Sequence, residues 1–368
     1  MKFLHTADLH LGKRVLECSM IEDAKTVLDE ILQIARHEQV NGVLIAGDVY
    51  DRPVPSIEAV NLFSGFLSAL SKAKIPVFLV AGNHDSPERL SFCGDILNAG
   101  GIHTAGVCRG RPHTVVLTGD KRVAVHMVSF ARTAALRPFL EGEIETAADA
   151  MRAVLSHIDF SVADRHILLA HAFVAGGSTS DSEINPVGTA EALPIDLFRG
   201  FDYVALGHLH GPQTLGPNVR YAGSPLKYSF SEVHHHKSVT ILEFEEKSAP
   251  TWREIPLHAP HDMREIRGSL SALLAGEYSE DYIRAVVTDD DVPPDARGAL
   301  QTVYPNLLRF AVENRRTTLE EDVNPAEGVE NRDPLSLFAE FYEKQHGEAP
   351  DGTRLAMMKK LLDEEVSE

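Results

Sequence analysis

Residues 2–12 read Lys2-Phe3-Leu4-His5-Thr6-Ala7-Asp8-Leu9-His10-Leu11-Gly12, a short apolar run that ends in an Asp-x-His pair. A run of this length that stops at polar, metal-competent side chains is the pattern of a buried strand handing over to a loop at its carboxyl end. The same order recurs further along. Val43 to Ala46 precedes Gly47-Asp48, and Val77 to Ala81 precedes Gly82-Asn83-His84-Asp85. His166 to Ala170 runs into His171, and Tyr203 to Leu206 precedes Gly207-His208-Leu209-His210. With Lys2 to Thr6, Val123 to Ser129 and Ser238 to Phe244, these make seven expected strands. They are rich in Val, Ile and Leu and alternate with helical patterns, so the fold class is α/β, with sheet strands covered on both faces.

In such sheets ligands gather beyond the carboxyl ends of the strands, where separate segments deliver side chains to one crevice. Gly47, Gly82 and Gly207 are expected to let the chain turn sharply there. Asp8 and His10, like His208 and His210, are two residues apart and would share a face of an extended chain. Seven candidate ligands follow: Asp8, His10, Asp48, Asn83, His171, His208 and His210. That is enough for two ions sharing one carboxylate, with Asp48 the natural bridge. Imidazole, carboxylate and amide donors together suit Mn, Fe or Zn better than an all-oxygen Mg or Ca cage. Paired cations of this kind clamp a phosphate and acidify water, so the reaction implied is in-line attack on phosphorus. His84 is the candidate to protonate the departing oxygen. A lone Asp-x-His or strand-end His is usually a hydrogen-bonded structural residue; five such pieces in order are not. His5, His103, His113, His126, His157 and His166 keep the structural reading. The triplet His234 to His236 is read as a turn, because neighbours on an extended chain face opposite ways.

Two helices are marked before the third motif. Ser19 and Glu22 form a capping-box pattern ahead of Ala24, Val27, Leu28, Ile31 and Ala35 at helical spacing. A second helix spans about Ser56 to Ala73, with Ile57, Val60, Phe63 and Leu67 on one stripe. This helix, with Leu90, Phe92 and Ile96, would form either a dimer seam or core. After Trp252 the pattern changes to a small α+β module: a helix at Ser269 to Ala275, a strand at Tyr282 to Thr288, a helix opened by Pro293 and Pro294, and a strand at Leu307 to Val312. Residues 317–332 read as a polar linker. Beyond it Leu335, Phe338, Phe341 and Tyr342 line one amphipathic segment, and Leu355, Met358, Leu361 and Leu362 another. Both would either fold back on the module or clasp a partner. The expected organisation is a catalytic domain over 1–255, a cap over 256–316, the linker, and a helical tail over 333–368.

At 368 residues the chain exceeds the usual size of one core. No run approaches the roughly 20 apolar residues that cross a bilayer, and Cys18, Cys93 and Cys108 form no CxxC pair. A membrane span, a disulfide framework and a cysteine zinc knot are therefore not expected, and a reducing cytoplasm fits. The net charge of −19 is unlike that of a chain that grips nucleic acid alone. From Leu319 to Glu368 there are 14 acidic and 5 basic residues, a net of −9, and the remainder is still acidic. Any hold on DNA must come from local basic residues, bound cations or a partner. Arg89, Lys13, Arg14, Arg52 and Lys227 lie near the motifs and would either touch phosphates or stand as solvated charges.

In this order the motifs resemble those of the calcineurin-like metallophosphoesterases, and within them the nuclease subunits of two-subunit bacterial exonucleases. Residues 3–12, 82–90 and 203–210 carry the likeness, and Tyr221-Ala222-Gly223-Ser224-Pro225-Leu226-Lys227-Tyr228-Ser229-Phe230-Ser231-Glu232 is the most family-specific stretch. The likeness is strong over about residues 1–250 and one of layout beyond. It implies a β-sandwich flanked by helices, one metal held by Asp8, His10, Asp48 and His210, the other by Asp48, Asn83, His171 and His208, and catalytic assistance by His84. It further implies manganese-dependent cleavage of DNA ends and hairpins in repair, by double-strand 3'-5' exonuclease and single-strand endonuclease action. A homodimer, and an SMC-like ATPase gripped by the tail, belong to the same picture. Asp51 stands where some relatives carry a second active-site histidine and is given no catalytic role. The rival expectations are a phosphoprotein phosphatase or cyclic-nucleotide phosphodiesterase of the same superfamily, and a scaffold without catalysis.

Overall fold

The computed structural model describes residues 1–183, 192–245 and 249–313, with Leu335, Tyr342, 350–352, Arg354, Leu355, Met357 and Met358 beyond them. The expected linker and most of the two tail segments lie outside the described residues. The chain divides into two compact units, one of Met1–Val286 with Pro293–Ala311, the other of Val287–Val292 with Val312–Glu368. The first unit holds the motifs.

Two six-stranded sheets organise it. The first runs Thr251–Pro256, Ser238–Glu243, Lys2–Thr6, Gly42–Ala46, Val77–Val80, Ile102–Thr104. The second runs Gln213–Leu215, Val219–Tyr221, Tyr203–Gly207, Arg165–His171, Arg122–Val128, His113–Thr118. The central pairs of both are parallel, for example Lys2–Thr6 with Gly42–Ala46 and Arg165–His171 with Tyr203–Gly207.

Alternation along each strand shows why the runs are apolar throughout. Phe3, Leu44, Phe78 and Val80 from the first sheet share one buried cluster with Val125, Met127, Ile167, Leu169 and Ala205 from the second. The intervening residues face helices: Leu4, Val43, Ile45, Val77 and Leu79 join Val27, Leu28, Ile31 and Phe63, while Leu168, Ala170, Val204 and Leu206 join Val154. Every central strand is thus buried on both faces, by the opposite sheet on one and by helices on the other. The fold is the helix-flanked sandwich that the resemblance implied.

The helix Ile21–His37 buries Ala24, Val27, Leu28, Ile31 and Ala35 as expected, but the capping box does not form. Met20 occupies the cap, because Ser19 is paired with Arg14 in the ribbon of Arg14–Val15 and Cys18–Ser19. In the helix Ile57–Lys72, Ser56 caps by accepting from the Ala59 N–H. Its inward face is Ala59, Phe63, Phe66 and Leu70, while Ile57 and Val60 are 79% and 40% exposed. The expected stripe lies about one residue off the buried face, which leaves an apolar outer surface.

From residue 257 the first unit continues without a break in packing. Leu257, Met263 and Tyr282 belong to the core of the helix Ile21–His37. Buried Asp23 on that helix accepts from Tyr282 Oη at 3.0 Å and pairs with His261 Nδ1 at 2.8 Å. Met263–Gly268, Tyr282–Val287 and Leu307–Val312 form a three-stranded sheet in that order, accompanied by helices Leu270–Leu274 and Ala296–Gln301. The three cysteines are free thiols, and among the described residues no helix is long and apolar enough to cross a membrane.

Candidate metal centre

The five motifs meet at the carboxyl ends of both sheets, three from the first and two from the second. The expectation that paired motifs use one face of an extended chain is corrected here. Asp8, His10, Asp48 and His208 have φ of 53°, 41°, 48° and 106°, so the side chains converge through left-handed turns. Each such non-glycine conformation costs about 1–3 kcal/mol and persists where its surroundings hold it. Here the loops are stitched to one another. Asp8 N–H donates to Gly47 O at 3.0 Å, His10 N–H to Asp48 O at 3.0 Å, and His208 N–H to the Asp8 carboxylate at 2.9 Å. Of the three glycines only Gly47 turns with positive φ, at 86°. Gly82 and Gly207 are needed for close approach: a Cβ would lie 2.1 Å from Asp48 Oδ1 at the first and 1.9 Å from Ala46 O at the second.

All seven candidate ligands converge, in two groups that meet at Asp48. On one side His171 Nδ1–H donates to Ala46 O at 2.9 Å, which aims Nε2 at Asn83 Oδ1 (2.9 Å) and Asp48 Oδ2 (3.4 Å). His208 Nδ1 lies 3.1 Å from the same amide oxygen. On the other side His10 Nε2 is 3.2 Å from His210 Nε2 and 3.8 Å from Asp48 Oδ2. Asp8, His10, Asp48, His171 and His210 are all at most 2% exposed.

The donor set fits divalent cations. Two imidazole nitrogens facing each other in a buried site, beside two buried carboxylates, lack what each wants most, a positive charge between them. Three triads, Asp8 with His10 and His210, Asp8 with Asp48 and His171, and His10 with Asp48 and His84, each hold their donor atoms within 4.8 Å. The titration shifts agree. Burial raises Asp8 well above the usual carboxylate range and pulls His10 below the usual imidazole range. Burial and the charge of His171 pull His208 down to about 3. Burial opposes the charge on His171 too, but the Asp48 carboxylate beside it wins and raises it to about 9. That proton sits where a cation would serve the same carboxylate, and binding would displace it.

His84 is held by two bonds: its N–H donates to Asp48 Oδ1 at 2.8 Å, and Nδ1–H donates to the Asp51 carbonyl at 2.9 Å, leaving Nε2 as the exchangeable position. Asp51 thus orients His84 through its backbone, while its carboxylate pairs with Lys13 at 3.0 Å.

Sequence reasoning missed a supporting set. Glu232 is fully buried; Oε1 lies 3.1 Å from His210 Nδ1 and accepts from Ser182 Oγ, and Oε2 pairs with Lys237 at 2.6 Å. Glu183 Oε1 accepts from the His210 N–H at 2.6 Å. Asp85 accepts from the N–H groups of Val49, Tyr50 and Gly82, bracing the loop of Asp48. Tyr228 Oη donates to Leu9 O at 2.5 Å. Tyr228 and Glu232 both belong to the family-specific stretch 221–232 and give it a physical reason.

Of the basic candidates, Arg89, Arg14 and Arg52 are solvent-facing, whereas Lys13 is tied to Asp51 and Lys227 is turned inward onto Val233 O and Asp262, both at 2.8 Å. The remaining histidines are structural where buried. His5 bonds Tyr203 Oη and Leu206 O, and His126 stacks on His166 at 5.3 Å between ring centroids. Of the triplet expected to form a turn, His234 lies in one, and His235 and His236 follow it without regular structure.

Residues 1–212 match the family model of the calcineurin-like phosphoesterases, and residues 259–346 match one described as the type 5 capsule protein repressor C-terminal domain. The chain is similar over nearly its whole length to the SbcD subunit of the nuclease SbcCD from three bacteria. Identity is 33% to that of Bacillus subtilis, covering 95% of each chain, and 31% to that of Staphylococcus epidermidis, covering 93% of each. It is 29% to that of Staphylococcus saprophyticus, covering 95% of this chain and 94% of the relative.

Proposed function

Because the chain belongs to the calcineurin-like phosphoesterases and, within them, to the SbcD family of nuclease subunits, it is a metal-dependent phosphodiesterase, and we propose that it cuts DNA at a two-cation centre. The observation that carries this reading is the buried carboxylate of Asp48, placed between two groups of imidazoles. One cation would be held by Asp8, His10, Asp48 and His210, the other by Asp48, Asn83, His171 and His208. Manganese suits this mixed nitrogen and oxygen set. Bound there, the pair supplies positive charge for a phosphodiester and a water acidic enough to attack it near neutral pH.

The chain's own groups do the rest. Ala46 O fixes the tautomer of His171, and Glu232 with Ser182 orients His210, so that each presents Nε2. The Asp51 carbonyl fixes His84 in the same way. As the bond from phosphorus to the departing oxygen breaks, His84 Nε2 delivers a proton to that oxygen.

The substrates in this reading are DNA ends and hairpins, cut by 3'-5' exonuclease action on double strands and by endonuclease action on single strands. The partner is the ATPase SbcC, engaged through residues 333–368, in the cytoplasm. A homodimer is supported by the apolar outer surface of Ile57, Phe92 and Ile96, each more than 70% exposed. Arg89, Arg14 and Arg52 are the candidates for phosphate contact.

The test is manganese-dependent turnover by the purified chain and by Asp48→Asn, on a DNA duplex and on a phosphopeptide. DNA cleavage lost in the variant is expected. Turnover of the phosphopeptide alone would overturn the nuclease reading.

A further inference from the structure

Beside the metal centre, on the side of Asn83, His171 and His208, the second sheet opens into a cleft of about 320 Å³. Its floor is apolar. Val128, Leu136, Ala150 and Val154 are core residues of the cluster between that sheet and the helices Thr133–Leu136 and Ala147–Leu155. Two half-buried phenyl rings stand between the floor and the candidate ligands. Phe130 meets His171 edge-on at 6.3 Å between centroids, and Phe173 meets His208 at 6.1 Å and 67°. Arg132 is exposed at the mouth.

Resting on the nuclease reading above, we propose that this cleft takes the nucleobase next to the scissile phosphate. In a polynucleotide every phosphate has a flat aromatic group one sugar away. A group of that shape, sent from the metal centre in the direction of Phe130 and Phe173, meets aromatic rings and then aliphatic walls. The size falls at the lower end of small-ligand pockets, which run from roughly 300 to 1,000 Å³. Recognition is chiefly by stacking, since Phe130, Phe173 and aliphatic side chains make up most of the lining. Ser129 is committed elsewhere, its hydroxyl donating to Ala105 O and accepting from the Ala81 N–H, so it is not available to read a base edge.

The consequence is a preference for substrate form. A base can enter only after leaving its own stack, which is easiest in a single strand, at a frayed end or in a hairpin loop. The cleft therefore gives a reason for cutting such places that does not depend on reading their sequence.

The test uses the full chain with manganese and three substrates: an intact single-stranded oligonucleotide, the same strand with one abasic nucleotide, and bis(p-nitrophenyl) phosphate, which has no base. Stacking on aromatic side chains is worth roughly 5- to 150-fold per base. Cleavage next to the abasic nucleotide is expected to fall by at least about fivefold. Ala147→Phe, which fills the cleft from the helix Ala147–Leu155, should lower kcat/KM for the intact strand by a similar factor. Its manganese affinity in calorimetry and its urea-unfolding midpoint should stay at the wild-type level, which reports that the centre and the fold are intact. Equal wild-type cleavage at intact and abasic positions would overturn the proposal and leave the nuclease reading standing. Turnover of bis(p-nitrophenyl) phosphate with no cleavage of either strand would overturn both.

Discussion

Replacing Glu232 with Gln separates two jobs that one carboxylate performs. Oε1 lies 3.1 Å from His210 Nδ1, and Oε2 holds the ammonium of Lys237 at 2.6 Å, in a place where Glu232 is fully buried and Lys237 is 8% exposed. Both groups feel the site. Despite burial, His210 and Lys237 hold Glu232 below the usual carboxylate range, and burial pulls Lys237 below its own. Losing the charge behind a ligating imidazole typically weakens metal binding by roughly 10- to 100-fold. That is about 1.4–2.7 kcal/mol at 25 °C. Separately, leaving a buried ammonium without its partner costs about 3–5 kcal/mol of stability. Glu232→Gln is therefore expected to lower both, in manganese calorimetry on chelator-stripped protein and in urea unfolding. The double variant Glu232→Gln with Lys237→Met should recover much of the stability and none of the affinity. If Glu232→Gln binds manganese as tightly as the wild type, the assignment of Glu232 to His210 is wrong.

Gly82→Ala puts a methyl group 2.1 Å from Asp48 Oδ1 and should abolish metal binding, whereas Gly65→Ala, with nothing within 4 Å, should stabilise the chain by roughly 0.4–1 kcal/mol; thermal melts with and without manganese check both. Burial, and then His166, pull His126 from 6.5 to about 4, so between those values the unfolded chain takes a proton that the folded chain refuses. Stability should rise across that window and be complete above it, by about 3 kcal/mol at most, and His126→Gln should flatten that part of the pH profile in urea titrations. Ile57→Glu with Phe92→Glu should convert a dimer to a monomer in light scattering, without changing the rate on bis(p-nitrophenyl) phosphate.

Strands and motifs were legible because they are local. A strand buried on both faces is apolar at every position, so Val43 to Ala46 and Tyr203 to Leu206 announce themselves, and the polar residue that ends each run marks its loop. What covers the two faces is not local. Val43 and Leu44 look alike in sequence, yet Val43 packs with helices and Leu44 against the second sheet. Residues alone suggested one sheet between helices, and only the resemblance implied two. The helix Ile57–Lys72 misled for a related reason: Ile57 and Val60 are apolar and exposed, so hydrophobicity did not mark the inward face. Within the site, the candidate ligands showed because they follow strands. Glu232, which ends the short 3-10 turn Phe230–Glu232, and Lys237, in the stretch after it, lie 22 and 27 residues from His210, and no period predicts a hydrogen bond across that distance.

The acidic balance that looked out of place for a DNA enzyme has a local counterpart. Asp8, Asp48, Asp85, Glu183 and Glu232 are all buried around one centre, and Lys237 is the buried ammonium that faces them. Such a centre draws divalent cations strongly and, until they displace the proton that His171 carries, offers a phosphate little net attraction. Metal loading should then precede DNA binding in energetic terms. Fluorescence anisotropy of a labelled duplex should show weak association with the chelator-treated chain and tighter association once manganese is restored, with the gain shrinking in Asp48→Asn. If the stripped chain held the duplex as tightly as the loaded one, the affinity would have to come from surface arginines such as Arg89 and Arg52, and the centre would contribute only to cleavage.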